Sequence, residues 1–330
     1  MKKKIFRFSL LFSMLGLLFA CAPSVKDKPE VKTPEPVITT PVVVDKVIPV
    51  PVEPEQQDVL ILLSSSSVAF QKIGQYLTRE LGDHAVQITL SGLPAQDKAV
   101  IRDIQNSSTI QVVAVGSKAL DAVKNFKSKQ IIYTQILNHN KVTADNIKGV
   151  SSLPSPEKLF KDWKKLSPSL TKVAVVAGNN LDLYLKRAKK AAKSQGIELI
   201  VEVVKSDKGF IYKSKKIKSD VGGQWILPDN RILSGKALKE VMAYASRRGR
   251  QIVVFSPKLL SFGGFFYVTP DAEAIASGVL QRLRESAGKT SILGESVLPV
   301  MNHTMGINQN IAKQFNLVIP PEYRKYVNGK

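Results

Sequence analysis

From Asp58 onward, short apolar runs alternate with amphipathic stretches. The runs Val59–Leu63, Val86–Leu90, Ile110–Val115, Gln130–Thr134 and Val173–Ala177 are short and largely β-branched. So are Glu198–Val204, Gln224–Leu227, Gln251–Phe255, Phe265–Val268 and Ser296–Val300. Runs of this kind predict parallel strands buried on both faces. Between them the spacing predicts helices over Val68–Leu81, Lys118–Phe126, Pro156–Leu166, Leu181–Gln195, Lys236–Arg248, Asp271–Ala287 and Asn308–Phe315. In the first, Phe70, Ile73, Leu77 and Leu81 fall on one helical face. Ser155 followed by Pro156 is a helix start, a capping residue before a proline at the first helical position.

Alternating strands and helices imply the α/β class with doubly wound parallel sheets. Two such series over about 270 residues predict two lobes joined by a hinge. Turn formers in "NIKGVSSLPSP", Asn146 to Pro156, place the first crossing there. Further crossings are expected near Val268–Pro270 and around Gly288–Gly294. The first lobe is then 58–149 plus about 269–290, and the second 150–268 plus about 291–325.

The N-terminal part reads differently. Lys2, Lys3, Lys4 and Arg7 precede a run, Phe8 to Ala20, that is apolar apart from Ser9 and Ser13. It is too short for a comfortable membrane span and reads as an export signal over residues 1–20. Its end, "LLFAC", resembles a bacterial lipoprotein signal with Cys21, the single cysteine, as the lipidated residue. Plain cleavage after Ala22 is the other reading. In such lipoproteins the residue after the cysteine directs sorting. Ala22, rather than Asp, implies the periplasmic face of the outer membrane if the cell is Gram-negative. Residues 21–57 form a linker, with eight prolines and no glycine between Ala22 and Gln57. Proline favours extended chain, so this segment is either a spacer reaching roughly 110 Å at ~3.1 Å per residue or simply disordered.

The formal net charge of the 330-residue chain is +21. That balance suits anionic partners, or else a solvated lysine-rich surface. Basic residues concentrate in "YLKRAKKAAKSQ" (Tyr184–Gln195) and "KSDKGFIYKSKKIKSD" (Lys205–Asp220). Nucleic acid is not the expected partner of an exported protein.

Four stretches carry a resemblance: "NIKGVSSLPSPEKLFKDWKKLSPSLTKVAVVAGN", "QWILPDNRILSGKALKEVMAYASRRGRQIVVFSP", "GGFFYVTPDAEAIASGVLQRL" and "MNHTMGINQNIAKQFNLVIP". In this order they resemble the substrate-binding proteins of ABC transporters, in the type I two-lobe class and its tryptophan- and tyrosine-binding branch. The family usually carries an Asp-Pro pair after the strand that precedes the crossing. Here Gln130–Thr134 is followed by "QILNHN", which puts Asn138, His139 and Asn140 near that place. The resemblance implies a monomeric protein that holds a small molecule between its lobes and closes on it.

Physical reasoning selects the same region, since ligands of open α/β sheets bind beyond the carboxyl ends of strands. The loops there hold Ser66 and Ser67, Gly116 and Ser117, Asn138, Asn179 and Asn180, Asp229 and Asn230, and Ser256. Serines and Gly116 before helices suit a carboxylate or phosphate. Asp229 would receive an ammonium, and Asn179 or Asn230 would bridge the lobes. Each residue also has a plain structural reading, the serines as helix caps and the Asn and Asp pairs as turn formers. Phe262, Phe265 and Phe266 would stack on an aromatic ligand or pack the core.

No catalytic constellation stands out, and neither an enzyme nor a cofactor is expected. His84, His139 and His303 lack metal-ligand spacing. "AGKT" at 287–290 has Leu283 where a phosphate loop needs glycine. Two readings remain. One is a lipid-anchored solute-binding protein that takes a small polar ligand, such as an amino acid, and works with an ABC permease or a sensor. The other is a tethered interaction protein with a degenerate cleft that regulates a cell-envelope enzyme or sensor.

Overall fold

The computed structural model describes residues 58–137, 144–289, 291–292 and 294–328. The signal segment, Cys21, the Pro-rich linker and Asn138 lie outside the described residues. In chain order the strands are β1 (Val59–Leu63), β2 (Ala85–Thr89), β3 (Gln111–Val115), β4 (Gln130–Thr134), β5 (Ile147–Pro154), β6 (Lys172–Gly178) and β7 (Glu198–Val204). They continue with β8 (Gly223–Trp225), β9 (Gln251–Val254), β10 (Phe266–Thr269), β11 (Val297–Val300), β12 (Thr304–Asn308) and β13 (Val327–Asn328). The helices are α1 (Val68–Leu81), α2 (Pro94–Asn106), α3 (Ser117–Val123), α4 (Pro156–Leu166) and α5 (Asp182–Ser194). After them come α6 (Asp207–Lys216), α7 (Gly235–Arg247), α8 (Ala272–Ser286) and α9 (Gln309–Gln314).

Two sheets form, in the orders β11-β5-β4-β3-β1-β2 and β13-β12-β10-β9-β8-β6-β7. Every pairing is parallel except β10 with β12. Both sheets are covered on two sides, because each strand's alternate residues point opposite ways. Val59, Ile61 and Leu63 of β1 pack with Ile73 and Leu77 of α1 and Ile275 and Val279 of α8. Leu60 and Leu62 pack with Ile104 of α2 and Leu120 of α3. In the second sheet, Val173, Val175 and Ala177 meet α4 and α5, while Val176 shares a core with α6 and α7. This is the two-lobed, doubly wound α/β architecture expected.

Most predicted elements appear within a residue or two of their expected bounds. Ser155 accepts from the Lys158 amide and caps α4, with Pro156 in its first turn. The differences have physical causes. Residues 147–154, read as a turn-rich boundary, form β5 in the first sheet. Gly149 is there because a Cβ at that position would run into the Tyr133 ring of the neighbouring strand. Helix α2 escaped notice because only Ile104 on it is fully buried. Helix α6 lay hidden in a lysine run, held by Phe210 and Ser214 one turn apart. Val297–Val300, expected in the second lobe within 291–325, pairs with β5 in the first sheet. The third passage between the sheets therefore follows β11, at residues 301–303, rather than lying at 288–294.

That passage is fastened to the second lobe. His303 Nε2 lies 3.3 Å from Asp162 Oδ2, an ion-pair distance without hydrogen-bond alignment, and both side chains are buried. The Tyr323 hydroxyl donates to Asp162 Oδ1 at 2.7 Å, and Lys158 Nζ reaches Oδ2 at 3.2 Å. Burial pushes the Asp162 carboxyl up, but His303, Tyr323 and Lys158 outweigh it and hold the group below its ordinary value. A depressed carboxyl stabilises the fold above its unfolded value and loses that contribution as pH falls through its folded value. Acidification through and below the ordinary carboxylate range should therefore remove stability at this point. Urea unfolding across that range should show a shallower acid loss for Asp162→Asn than for the parent. Equal slopes would exclude the cluster as a stability determinant.

Candidate functional site

A cleft of about 1120 Å³ opens between the lobes. Its walls are the carboxyl ends of the central strands of both sheets, where α/β folds place their ligands. On the first wall stand Ser64 and Ser65 after β1, Phe70 and Lys72 on α1, Ser117 and Lys118 on α3, and Gln135 after β4. On the second stand Asn230 and Arg231 after β8 and Phe255, Ser256 and Lys258 after β9. Ser152, Pro154, Thr269 and Pro270, beside two of the passages between the lobes, complete the lining.

Local chemistry builds the first wall. Ser64 is buried, and its hydroxyl accepts from the Ala119 amide at 2.8 Å, tying α3 to the end of β1. Gly116 has φ 90°. A Cβ there would come within 2.7 Å of Ser64 Oγ and 2.8 Å of the Phe70 ring. Gly116 is therefore a packing element behind the wall, and its amide bonds to Thr134 O at 2.9 Å. Gln135 is left-handed at φ 61° where it enters the cleft. Such a conformation in a non-glycine residue is strained and concentrates at functional positions.

The second wall corrects the expectation for Asp229. Its side chain is fully buried, and Arg231 takes both oxygens, Nε to Oδ1 at 2.8 Å and Nη2 to Oδ2 at 2.6 Å. The Asp229 carbonyl also accepts from the Leu233 amide at 3.0 Å, so the residue makes the turn. The same guanidinium reaches Asn179, with Nη1 to Oδ1 and Nη2 to the carbonyl, both at 3.0 Å. Arg231 thus bridges the loops after β6 and β8, the strands that flank the switch point of the second sheet. Gly178 permits this, since a Cβ on it would run into Asp229 Oδ2. An ammonium has no free carboxylate to meet at Asp229.

Of the residues singled out from sequence, Ser117, Asn230 and Ser256 line the cleft together. Ser66, Ser67, Gly116, Asn179, Asn180 and Asp229 are not among its lining residues. Ser67 instead caps α1, accepting from the Phe70 amide at 3.4 Å, and Asn180 turns the chain at φ 65°. Phe265 and Phe266 are core residues, while Phe262 is exposed beneath Lys239. Sequence reasoning passed over Lys72, Gln135 and Arg231, and gave no ligand role to Lys118 and Lys258 although both fall in the strand-end loops it selects. Three of these share a signal, a cation within three residues after a strand-end serine or asparagine. Among the described residues no cluster of three side chains could hold a metal ion, and no helix is long and apolar enough to cross a membrane.

No family model and no curated protein matches the chain. Solved structures do. A ligand-free, open substrate-binding protein with adhesive properties from Clostridium difficile superposes with a TM-score of 0.59 at 13% identity, over 82% of this chain and 98% of its own. An ABC domain from Streptococcus pneumoniae in complex with L-Trp gives 0.57 at 17%, over 83% and 100%. A periplasmic ribose ABC transporter protein from Conexibacter woesei gives 0.52 at 11%, over 84% and 99%. At such identities the likeness is one of architecture: the chain has the two-lobed fold of the type I periplasmic substrate-binding proteins of ABC transporters.

Proposed function

We propose that this protein is an extracytoplasmic solute-binding protein that receives a small molecule between its lobes and closes on it without changing it covalently. The observation that carries this reading is the interlobe cleft, walled by the strand ends of both sheets. The proposed contacts are Ser65, Ser117, Gln135, Asn230 and Ser256, with the one N–H that Arg231 does not spend on Asp229 and Asn179. Apolar surface from Phe70 and Phe255 would cover the body of the ligand. The "LLFAC" signal and the Pro-rich linker support a tether at Cys21 on the periplasmic face of the outer membrane. An ABC permease or an envelope sensor would read the closed shape.

A second reading, a tethered interaction protein, is favoured by Arg231, which occupies the switch point of the second sheet with protein contacts. Thermal unfolding of the full-length protein against a broad metabolite panel separates the two. A ligand at 100 times its dissociation constant adds about 2.7 kcal/mol of stability. A shift abolished by Ser117→Trp, which obstructs the cleft, is the expected result. Silence across the panel would discard the solute-binding reading and leave the interaction protein.

A further inference from the structure

The charge of the cleft says more than its shape. Lys72, Lys118, Arg231 and Lys258 line it, and no Asp or Glu does. Arg231 is balanced by Asp229. The three lysines form no ion pair among the described residues. Asp97 on α2 lies close enough to Lys118 to act on its charge, and so balances it in part. Lys72 and Lys118 belong to the first lobe and Lys258 to the second, so closure brings like charges towards one another. Water would leave the cleft at the same time, which strengthens that repulsion.

A zwitterionic amino acid fits this arrangement poorly, because its ammonium would enter a basic site with no carboxylate. The half-buried Phe70 and Phe255 and the exposed Val68 supply apolar surface for a carbon framework. We propose that the cleft takes a small organic anion carrying at least two negative charges, a phosphate ester or a dicarboxylate, which neutralises Lys118 and Lys258 across the two walls. The proposal rests on the reading of the cleft as a ligand site and specifies its ligand class.

The test titrates the full-length protein calorimetrically with five probes: adenosine monophosphate, glucose 6-phosphate, succinate, tryptophan and ribose. The expected result is binding of at least one of the three anions and of neither uncharged nor zwitterionic probe. Phosphates and succinate together separate the two chemical sources. Affinity should weaken about tenfold in Lys118→Gln and again in Lys258→Gln, since a hydrogen bond to a charged group is being removed. It should also weaken as salt rises from about 0.1 M to 1 M, where the screening length falls from about 10 to 3 Å. Both lysines are exposed, so each variant should unfold with the parent's midpoint. Tryptophan or ribose binding in place of the anions would overturn the proposal while leaving the solute-binding reading intact. Anion binding that neither lysine variant weakens would overturn it as well. Silence of all three anions also ends it, and the wider metabolite panel then decides the solute-binding reading separately.

Discussion

Replacing Arg231 with Met is expected to lower the unfolding free energy by about 3 kcal/mol. The cause lies in Asp229, whose carboxylate is fully buried and whose oxygens both rely on this guanidinium. Removing one member of a buried pair costs about 3–5 kcal/mol, because the remaining charge loses its counter-ion. The lower end applies because the Arg231 side chain is 31% exposed and its backbone amide, which donates to Asp229 Oδ1 at 3.1 Å, stays in the variant. Loss of the bridge to Asn179 should also loosen the loop after β6. Asp229→Asn combined with Arg231→Met removes both charges and should recover a substantial part of the deficit. Urea unfolding of the parent, the two single variants and the double measures the coupling. A loss below about 1 kcal/mol in Arg231→Met, typical of exposed pairs, would mean that water reaches Asp229, and the bridge would no longer explain the second wall.

Trp163→Ala should cost about 3–5 kcal/mol. Trp163 on α4 is fully buried under the second sheet. Its ring lies nearly parallel to Phe160 at 6.4 Å and edge-on to Phe266 at 5.7 Å. Its indole N–H donates to Gln251 Oε1 at 2.8 Å, and Gln251 in turn donates to Ser167 Oγ at 2.7 Å. Gly223 makes room, since a Cβ there would stand 2.6 Å from the ring. Truncation to alanine leaves both a cavity and an unpaired buried amide oxygen. Gly223 opens β8 and Gln251 opens β9, the strands that carry Asn230 and Ser256 to the cleft. The variant should therefore weaken the second wall more than the first. Circular dichroism in denaturant reads the stability. Hydrogen exchange would locate the loss, and uniform loosening of both lobes would contradict the assignment. Trp163→Phe, which keeps most of the packing, should lose less than the alanine variant.

The pattern of apolar positions was sufficient for most of the fold. Five consecutive apolar residues in Val59–Leu63 read as a strand covered on both faces, and the spacing of Ile73, Leu77 and Leu81 reads as a one-sided helix; both form as read. Ser155-Pro156 marked the start of α4 because capping is local chemistry. Such signals work where burial repeats along the element itself. They fail where the compensating partner is distant. Gly149 and two serines read as a boundary, yet they form a strand, because Tyr133 of the next strand fills the space that a Cβ would need. Likewise, Val297–Val300 joins the first sheet by pairing with residues nearly 150 positions earlier.

The site divides in the same way. That strand-end loops would meet at a cleft followed from the α/β order alone, and Ser117, Asn230 and Ser256 do meet there. Which side chains face the cleft was decided by tertiary contacts. Asp229 is drawn away by Arg231, and Arg231 is held in place by Asn179, 52 residues distant. Lys72, Lys118 and Lys258 look like any other lysines in a chain of net charge +21. Only the folded arrangement gathers them around one cavity without an acid among them, and that is a matter of three-dimensional proximity. The order of apolar and polar residues encodes which segments are buried. It does not encode which charges from separate segments end up sharing a space.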